Sequence, residues 1–217
     1  MTGAPTIVCI IDDDASVRRS LQRLLLASGF RVEVFADAQS YLVHCSDAPC
    51  GCIVLDVSMP GIDGLELQAR LEQEGQGAPI VFLTGHGDIP MSVRAVKAGA
   101  ADFLTKPVDE AVLLAAVNDA VALHRQRLCE TEVIEAIRQR IASLTPREKE
   151  VMRCVITGAA NKQIAGDLGI AEKTVKIHRS RVMKKLEVSS VAALLLACLQ
   201  AGVEPATKPS ESGAPSS

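Results

Sequence analysis

The sequence predicts a doubly wound α/β domain on a five-stranded parallel sheet, followed by a small all-α domain of four helices. Three observations carry this. Apolar runs alternate five times with helical patterns over residues 6–122, as parallel strands with crossover helices do. No strand pattern follows residue 123. The charge divides at the same place: residues 1–122 hold 8 Lys/Arg against 16 Asp/Glu, whereas residues 141–202 hold 10 against 5. An acidic half and a basic half point to different partners.

The elements follow in order. Residues 6–11 (TIVCII) are a β-branched apolar run of the kind buried on both faces. Val17, Leu21, Leu24 and Leu25 recur at helical spacing, and the pattern stops at Gly29, which suits a C-terminal cap. Residues 31–36 (RVEVFA) alternate as a strand. Residues 52–56 (CIVLD) and 80–84 (IVFLT) are apolar runs ending in a polar residue, and 101–105 (ADFLT) is a shorter one. Helices are expected over 38–45, 64–74, 89–98 and 109–122, with Asp88 and Pro90 as N-cap and first turn and Gly99 as C-cap of the third.

Beyond them, Ile134, Ile137, Ile141 and Leu144 recur at spacings of three and four, so a helical linker is expected. Thr145-Pro146-Arg147-Glu148 reads as a capping box with Pro at the first helical position. Helices are expected over 146–157, 161–168, 172–186 and 190–201. From Pro205 the chain is rich in Pro, Ser and Gly, which predicts disorder. The expected bounds are a first domain at 4–122, a linker at 123–141, a second domain at 142–202 and a tail at 203–217.

Composition removes several classes of function. Of the 217 residues, 48% are hydrophobic but only 2% are aromatic, with no Trp, so the core is aliphatic and an aromatic platform for stacking bases is excluded. The seven Cys are odd in number, and no secretory signal opens the chain, so reduced thiols in a cytoplasmic protein are expected. Cys50-Gly51-Cys52 lacks a second pair or a nearby His, which argues against zinc. No apolar run approaches the ~20 residues that span a bilayer, so no membrane partner is expected.

The chemistry sits at strand ends. Asp12, Asp13 and Asp14 follow the first strand, Asp56 ends the third, Thr84 ends the fourth and Lys106 follows the fifth. In an open parallel sheet, ligands bind beyond the carboxyl ends of the strands, where the strand order reverses. In the flavodoxin-like order 2-1-3-4-5, strands one and three are neighbours and the acids converge. Carboxylates forced together repel, and Mg²⁺, a hard cation that takes oxygen ligands, relieves this. A hydroxyl and an ammonium at the same rim suit phosphoryl oxygens. Taken singly, an Asp at a strand end is usually a helix cap; ordinary capping does not predict their joint placement. Asp14 reads as such a cap, and no chemistry is assigned to His86.

Residues 6–122 resemble a receiver domain of the response-regulator family, and FLTGHGDIPMSVRAVKAGAADFLTKP (82–107) is close to its FixJ-type branch. The resemblance implies Asp56 as phospho-acceptor. It implies Mg²⁺ held by Asp13, Asp56 and the backbone carbonyl of Ser58, with Asp12 acting through water. Thr84 would contact the phosphoryl group, Lys106 would pair with it, and Phe103 would change rotamer as Thr84 moves. The phosphoryl donor would be a sensor histidine kinase, and the chain would be a switch that can autodephosphorylate rather than an enzyme.

The second half carries a helix-turn-helix pattern. With Asn161 as position one, Ala165, Gly169 and Val175 fall at positions five, nine and fifteen: a close approach, a left-handed turn and a packing contact. On a wheel at ~100° per residue, Lys173, Lys176, Ile177, Ser180 and Lys184 share one arc, opposite Val175, Val182 and Leu186. An amphipathic helix with a basic face is common, but an outward Ile within that face suits a thymine methyl. Residues 144–200 resemble the LuxR-type domain of the FixJ/NarL family in LTPREKEV and NKQIAGDLGIAEKTVKIHRSRVMKKL. That implies a recognition helix at 172–186, with Lys176, Ile177 and Ser180 reading bases and Lys162, Thr174, Arg179 and Lys184 meeting phosphates. Ala171 departs from the Ser common at that cap, and His178 reads as structural. A homodimer on double-stranded DNA, acting with RNA polymerase to activate transcription, is the expected output.

Three other readings stand beside this one. Asp12-x-Asp14 with Thr84 and Lys106 partly mimics a haloacid-dehalogenase-type phosphatase with Asp12 as nucleophile, but leaves Asp56 unexplained. A receiver that has lost its switch conflicts with the presence of every pocket residue. A nucleotide-binding enzyme is weaker still, because the first strand leads into acids rather than a Gly-rich loop.

Overall fold

In a computed structural model, which describes residues 6–44, 50–74, 77–85 and 99–206, five parallel strands form one sheet: β1 (Ile7–Ile11), β2 (Arg31–Phe35), β3 (Cys50–Asp56), β4 (Ile80–Thr84) and β5 (Asp102–Thr105). Their order is β2-β1-β3-β4-β5, as the sequence predicts. The expected helix at 89–98, with Asp88 and Pro90, lies outside the described residues, as do His86, Cys45 and 207–217.

Alternation along the central strands explains the layering. Cys9, Ile11, Ile53, Leu55 and Phe82 point to one face, against Ala38 and Tyr41 of α2 (Ala38–His44) and Leu67 and Leu71 of α3 (Gly64–Gln73). Val8, Ile10, Val54, Val81 and Leu83 point to the other, against Leu21 and Leu25 of α1 (Ala15–Ala27) and Leu113 and Val117 of α4 (Glu110–Ala142). Both faces are covered, so β3 is buried at every position and reads as a continuous apolar run.

The chain divides into two compact units, Met1–Leu128 and Cys129–Ser217. The expected helix at 109–122 and the expected linker helix form one 33-residue helix, α4. The reason is local: residues 110–142 contain no Gly or Pro, and good helix formers such as Ala, Leu, Glu and Arg dominate.

The second unit holds α5 (Pro146–Val155), α6 (Asn161–Leu168), α7 (Glu172–Lys185) and α8 (Val191–Gln200) around Val151, Met152, Ile164, Val175, Val182 and Leu194. The predicted capping box is present: Thr145 Oγ1 accepts from the Glu148 N–H, and Glu148 accepts from the Thr145 N–H. The first residues of the expected tail are held here. Val203 packs on this core and its N–H donates to Cys198 O (2.8 Å), and the Ala206 N–H donates to Arg153 O (3.3 Å). No described helix is long and apolar enough to cross a membrane.

Candidate functional site

The sheet order brings the ends of β1, β3, β4 and β5 together. Asp12, just beyond β1, is buried, and its Oδ1 accepts the Asp14 N–H (2.8 Å). Asp13 beside it is exposed. Asp56, the last residue of β3, is buried and accepts the Ser58 N–H on Oδ1 (3.2 Å). Lys106 joins them: its Nζ donates to Asp12 Oδ2 (2.7 Å) and to Asp56 Oδ2 (2.8 Å). Its backbone N–H donates to the carbonyl of Thr84 (2.7 Å), tying the end of β5 to the buried end of β4. Phe103 on β5 is half-buried, its ring centroid 6.1 Å from that of Phe82.

Three carboxylates, of Asp12, Asp13 and Asp56, bring ligand oxygens within 4.8 Å of one another, and one ammonium faces two of them. The pocket is short of positive charge. Burial pushes the Asp12 carboxyl above its ordinary value, against the hydrogen bonds from Lys106 and Asp14. Burial also disfavours the Lys106 ammonium, but the bonds it donates to Asp12 and Asp56 override this and hold its pKa above the ordinary lysine value. All three ligands are hard carboxylate oxygens, so the residues fit a divalent cation of the Mg²⁺ type.

The surroundings lock this geometry. Asp14 caps α1, accepting from the Ser16 N–H (2.7 Å) and the Val17 N–H (3.4 Å), which pull its carboxyl below the ordinary value. Arg18, which sequence reasoning did not single out, donates from Nη1 to the Asp12 carbonyl (2.5 Å). Gly64, also missed, opens α3 where a Cβ would lie 2.5 Å from the Asp56 carbonyl oxygen. Gly64→Ala should therefore destabilise the first unit by about 1–3 kcal/mol, read as a lower denaturant midpoint.

The basic half presents a second surface. α6 ends at Gly169, whose φ of 63° gives the left-handed turn that leads into α7. Ala171, the N-cap of α7, makes no side-chain cap, as its missing hydroxyl requires. Lys162, Lys173, Lys176, Ile177, Ser180 and Lys184 are exposed, with Ile177 45% accessible, while Thr174, His178 and Arg179 are half-buried. Arg179 donates to Asn161 Oδ1 (3.1 Å), joining α7 to the start of α6, and Lys176 lies 3.4 Å from Glu172. Lys185 donates to Glu148 Oε2 (2.7 Å), a long-range pair with no local signal. Arg147 Nη2 donates to the Leu168 carbonyl (2.7 Å) at the end of α6.

Comparison with known proteins accounts for both halves. The response regulator receiver domain family matches residues 8–118, and the luxR family of bacterial regulatory proteins matches residues 142–197. The response regulator protein TmoT of Ectopseudomonas mendocina is 43% identical over 195 residues, 90% of this chain and 89% of that protein. The transcriptional regulatory protein FixJ of Azorhizobium caulinodans is 43% identical over 199 residues, 92% and 94% of the two chains. The solved structure of the response regulator StyR covers 91% of this chain and 100% of its own, with a TM-score of 0.78 and 48% identity.

Proposed function

The chain belongs to the FixJ-type response regulators of two-component systems, a receiver domain joined to a LuxR-type DNA-binding domain, and from that premise we propose that phosphorylation of Asp56 switches its binding to duplex DNA. The observation that carries this reading is the Lys106 ammonium shared between Asp12 and Asp56 at the carboxyl end of the sheet. Asp56 Oδ attacks the phosphorus of a sensor kinase's phosphohistidine. The N–P bond breaks, an O–P bond forms, and the imidazole leaves. Asp13, Asp56 and the Ser58 carbonyl would hold Mg²⁺, with Asp12 acting through water, and the ion would supply positive charge to the transferred oxygens. Lys106 stays beside Asp56 and pairs with the phosphoryl group. Thr84 donates its hydroxyl to it, and Phe103 turns into the space that Thr84 vacates. Water returns the group to solution as phosphate.

The switched face comprises β5 and the first turns of α4. It forms a homodimer on phosphorylation, and the dimer activates transcription with RNA polymerase in the cytoplasm. Moving such an equilibrium from 1:99 to 99:1 requires about 5.5 kcal/mol of differential stabilisation. Light scattering before and after treatment with acetyl phosphate and Mg²⁺ tests this: the mass rises towards a dimer, and an unchanged mass excludes dimerisation as the output.

On DNA, α7 enters the major groove. A duplex selected by the phosphorylated protein from a random-sequence pool provides the probe. Lys176→Ala should cost about 1–3 kcal/mol on the selected duplex and much less on a scrambled one, because a base contact is lost. Arg179→Ala should weaken both alike and reduce the salt slope by about one unit, because a phosphate contact releases a counterion whatever the base. Equal losses on both duplexes for Lys176→Ala would place the reading face elsewhere.

A further inference from the structure

The recognition helix ends on a residue that its backbone disfavours. Beyond α7 the Glu187 N–H donates to Lys184 O (3.2 Å) and the Val188 N–H to Met183 O (3.0 Å), with Glu187 left-handed at φ 57°. This is the Schellman arrangement, whose left-handed position normally belongs to Gly. Gly29, Gly169 and Gly202 fill the equivalent places beyond α1, α6 and α8. Among the described residues, Glu187 alone has positive φ without being glycine, and an L-side chain is strained there.

The side chain shows what the residue does. Glu187 Oε2 lies 2.7 Å from Arg140 Nη2, on the last turn of α4. Two residues earlier, Lys185 donates to the carbonyl of Ser143, just beyond α4 (3.3 Å). Two contacts therefore tie the end of the recognition helix to the end of the linker helix. The Arg140 and Glu187 side chains remain 40% and 67% exposed, and an exposed ion pair adds little stability. Stability alone would favour glycine. What glutamate adds is a directed contact to α4.

We propose that the Arg140–Glu187 pair couples the linker helix to the recognition helix, so that displacement of α4 on phosphorylation reaches the face that reads DNA. This rests on the phosphorylation-switched binding proposed above. The pair holds the last turn of α4 at the C-terminal end of α7, and a charge contact between two helix ends limits their separation and slip. Without it, the Lys185–Ser143 contact is left to carry the movement of α4 to α7.

The experiment uses the full chain and the selected duplex, and measures the ratio of Kd without and with acetyl phosphate and Mg²⁺. Glu187→Gly removes the pair and relieves the strained backbone. Arg140→Glu removes it by repulsion, and Arg140→Glu with Glu187→Arg restores it reversed. The two single variants should lower the ratio by about two- to fivefold, the scale an exposed ion pair can supply, with phosphoryl uptake unchanged. The reversed pair should recover it, and the denaturant midpoint of Glu187→Gly should hold or rise. A wild-type ratio in Glu187→Gly, a reversed pair as impaired as the single variants, or a lower midpoint in Glu187→Gly would overturn the proposal. A wild-type protein whose Kd does not respond to acetyl phosphate would reject the switch itself, and the coupling with it.

Discussion

Asp56→Asn is expected to abolish phosphoryl uptake from acetyl phosphate and Mg²⁺, taking the wild-type protein from one group per chain to none. The substitution keeps the shape of the side chain and one acceptor oxygen, enough for the Lys106 ammonium or the Ser58 N–H, and Asp12 still accepts from Lys106, so the pocket should survive. It removes the anionic oxygen that attacks phosphorus, and an amide is a far poorer nucleophile. Asp12 and Asp13 remain as carboxylates, so the experiment also separates the two chemistries the sequence allows. Asp12 is buried and shares Lys106, but it lies at the end of β1, whereas Asp56 ends the central strand β3. Intact-mass measurement with peptide mapping of the labile acyl phosphate provides the readout. A phosphoryl group found on Asp12, or undiminished labelling of Asp56→Asn, would favour phosphatase-like chemistry instead.

The second large effect is on the stability of the DNA-binding unit. Glu148 is 2% exposed, yet its carboxyl is held down to about 2, first by the hydrogen bond from Lys185 and then by that from the Thr145 N–H. A carboxylate whose folded value is depressed stabilises the fold above its unfolded value, near 4.5, and loses that stabilisation as the pH falls through the window from 4.5 to about 2. Lys185→Met should leave the carboxylate buried with Thr145 as its partner. Since the Lys185 side chain is 37% exposed, water screens part of the pair, and the cost is about 2 kcal/mol, below the range for a fully buried one. Urea denaturation of the wild type at pH 6 and pH 3 should show the acid loss, and Glu148→Gln should flatten it. An acid response of the same size in Glu148→Gln would assign the loss to other groups.

The sheet was legible because each strand is an unbroken apolar run between turn residues, and burial on both faces leaves no other use for TIVCII or CIVLD. The pocket followed from where those runs stop, since a parallel sheet gathers its carboxyl ends. The capping box at Thr145 and Glu148 was legible because both halves are local. The continuity of α4 was not, because the absence of a stop signal is weaker than its presence, and the change from apolar to mixed composition near residue 123 resembles a boundary. The role of Lys185 was not legible, because a helical wheel cannot see Glu148, 37 residues away. Glu187 gave no sign of its left-handed backbone, since the usual marker there is the glycine it replaces. Gly64 and Arg18 were missed for a related reason: their roles depend on a close approach to Asp56 and Asp12 that only the folded chain creates.

If Asp56 phosphorylation controls DNA binding, a titration of the selected duplex with wild-type and Asp56→Asn protein, each with and without acetyl phosphate and Mg²⁺, will separate the two proteins. The wild type should bind at least about tenfold more tightly after treatment, which corresponds to about 1.4 kcal/mol, while Asp56→Asn should bind equally before and after. Equal tightening of both proteins, or of neither, would contradict that control.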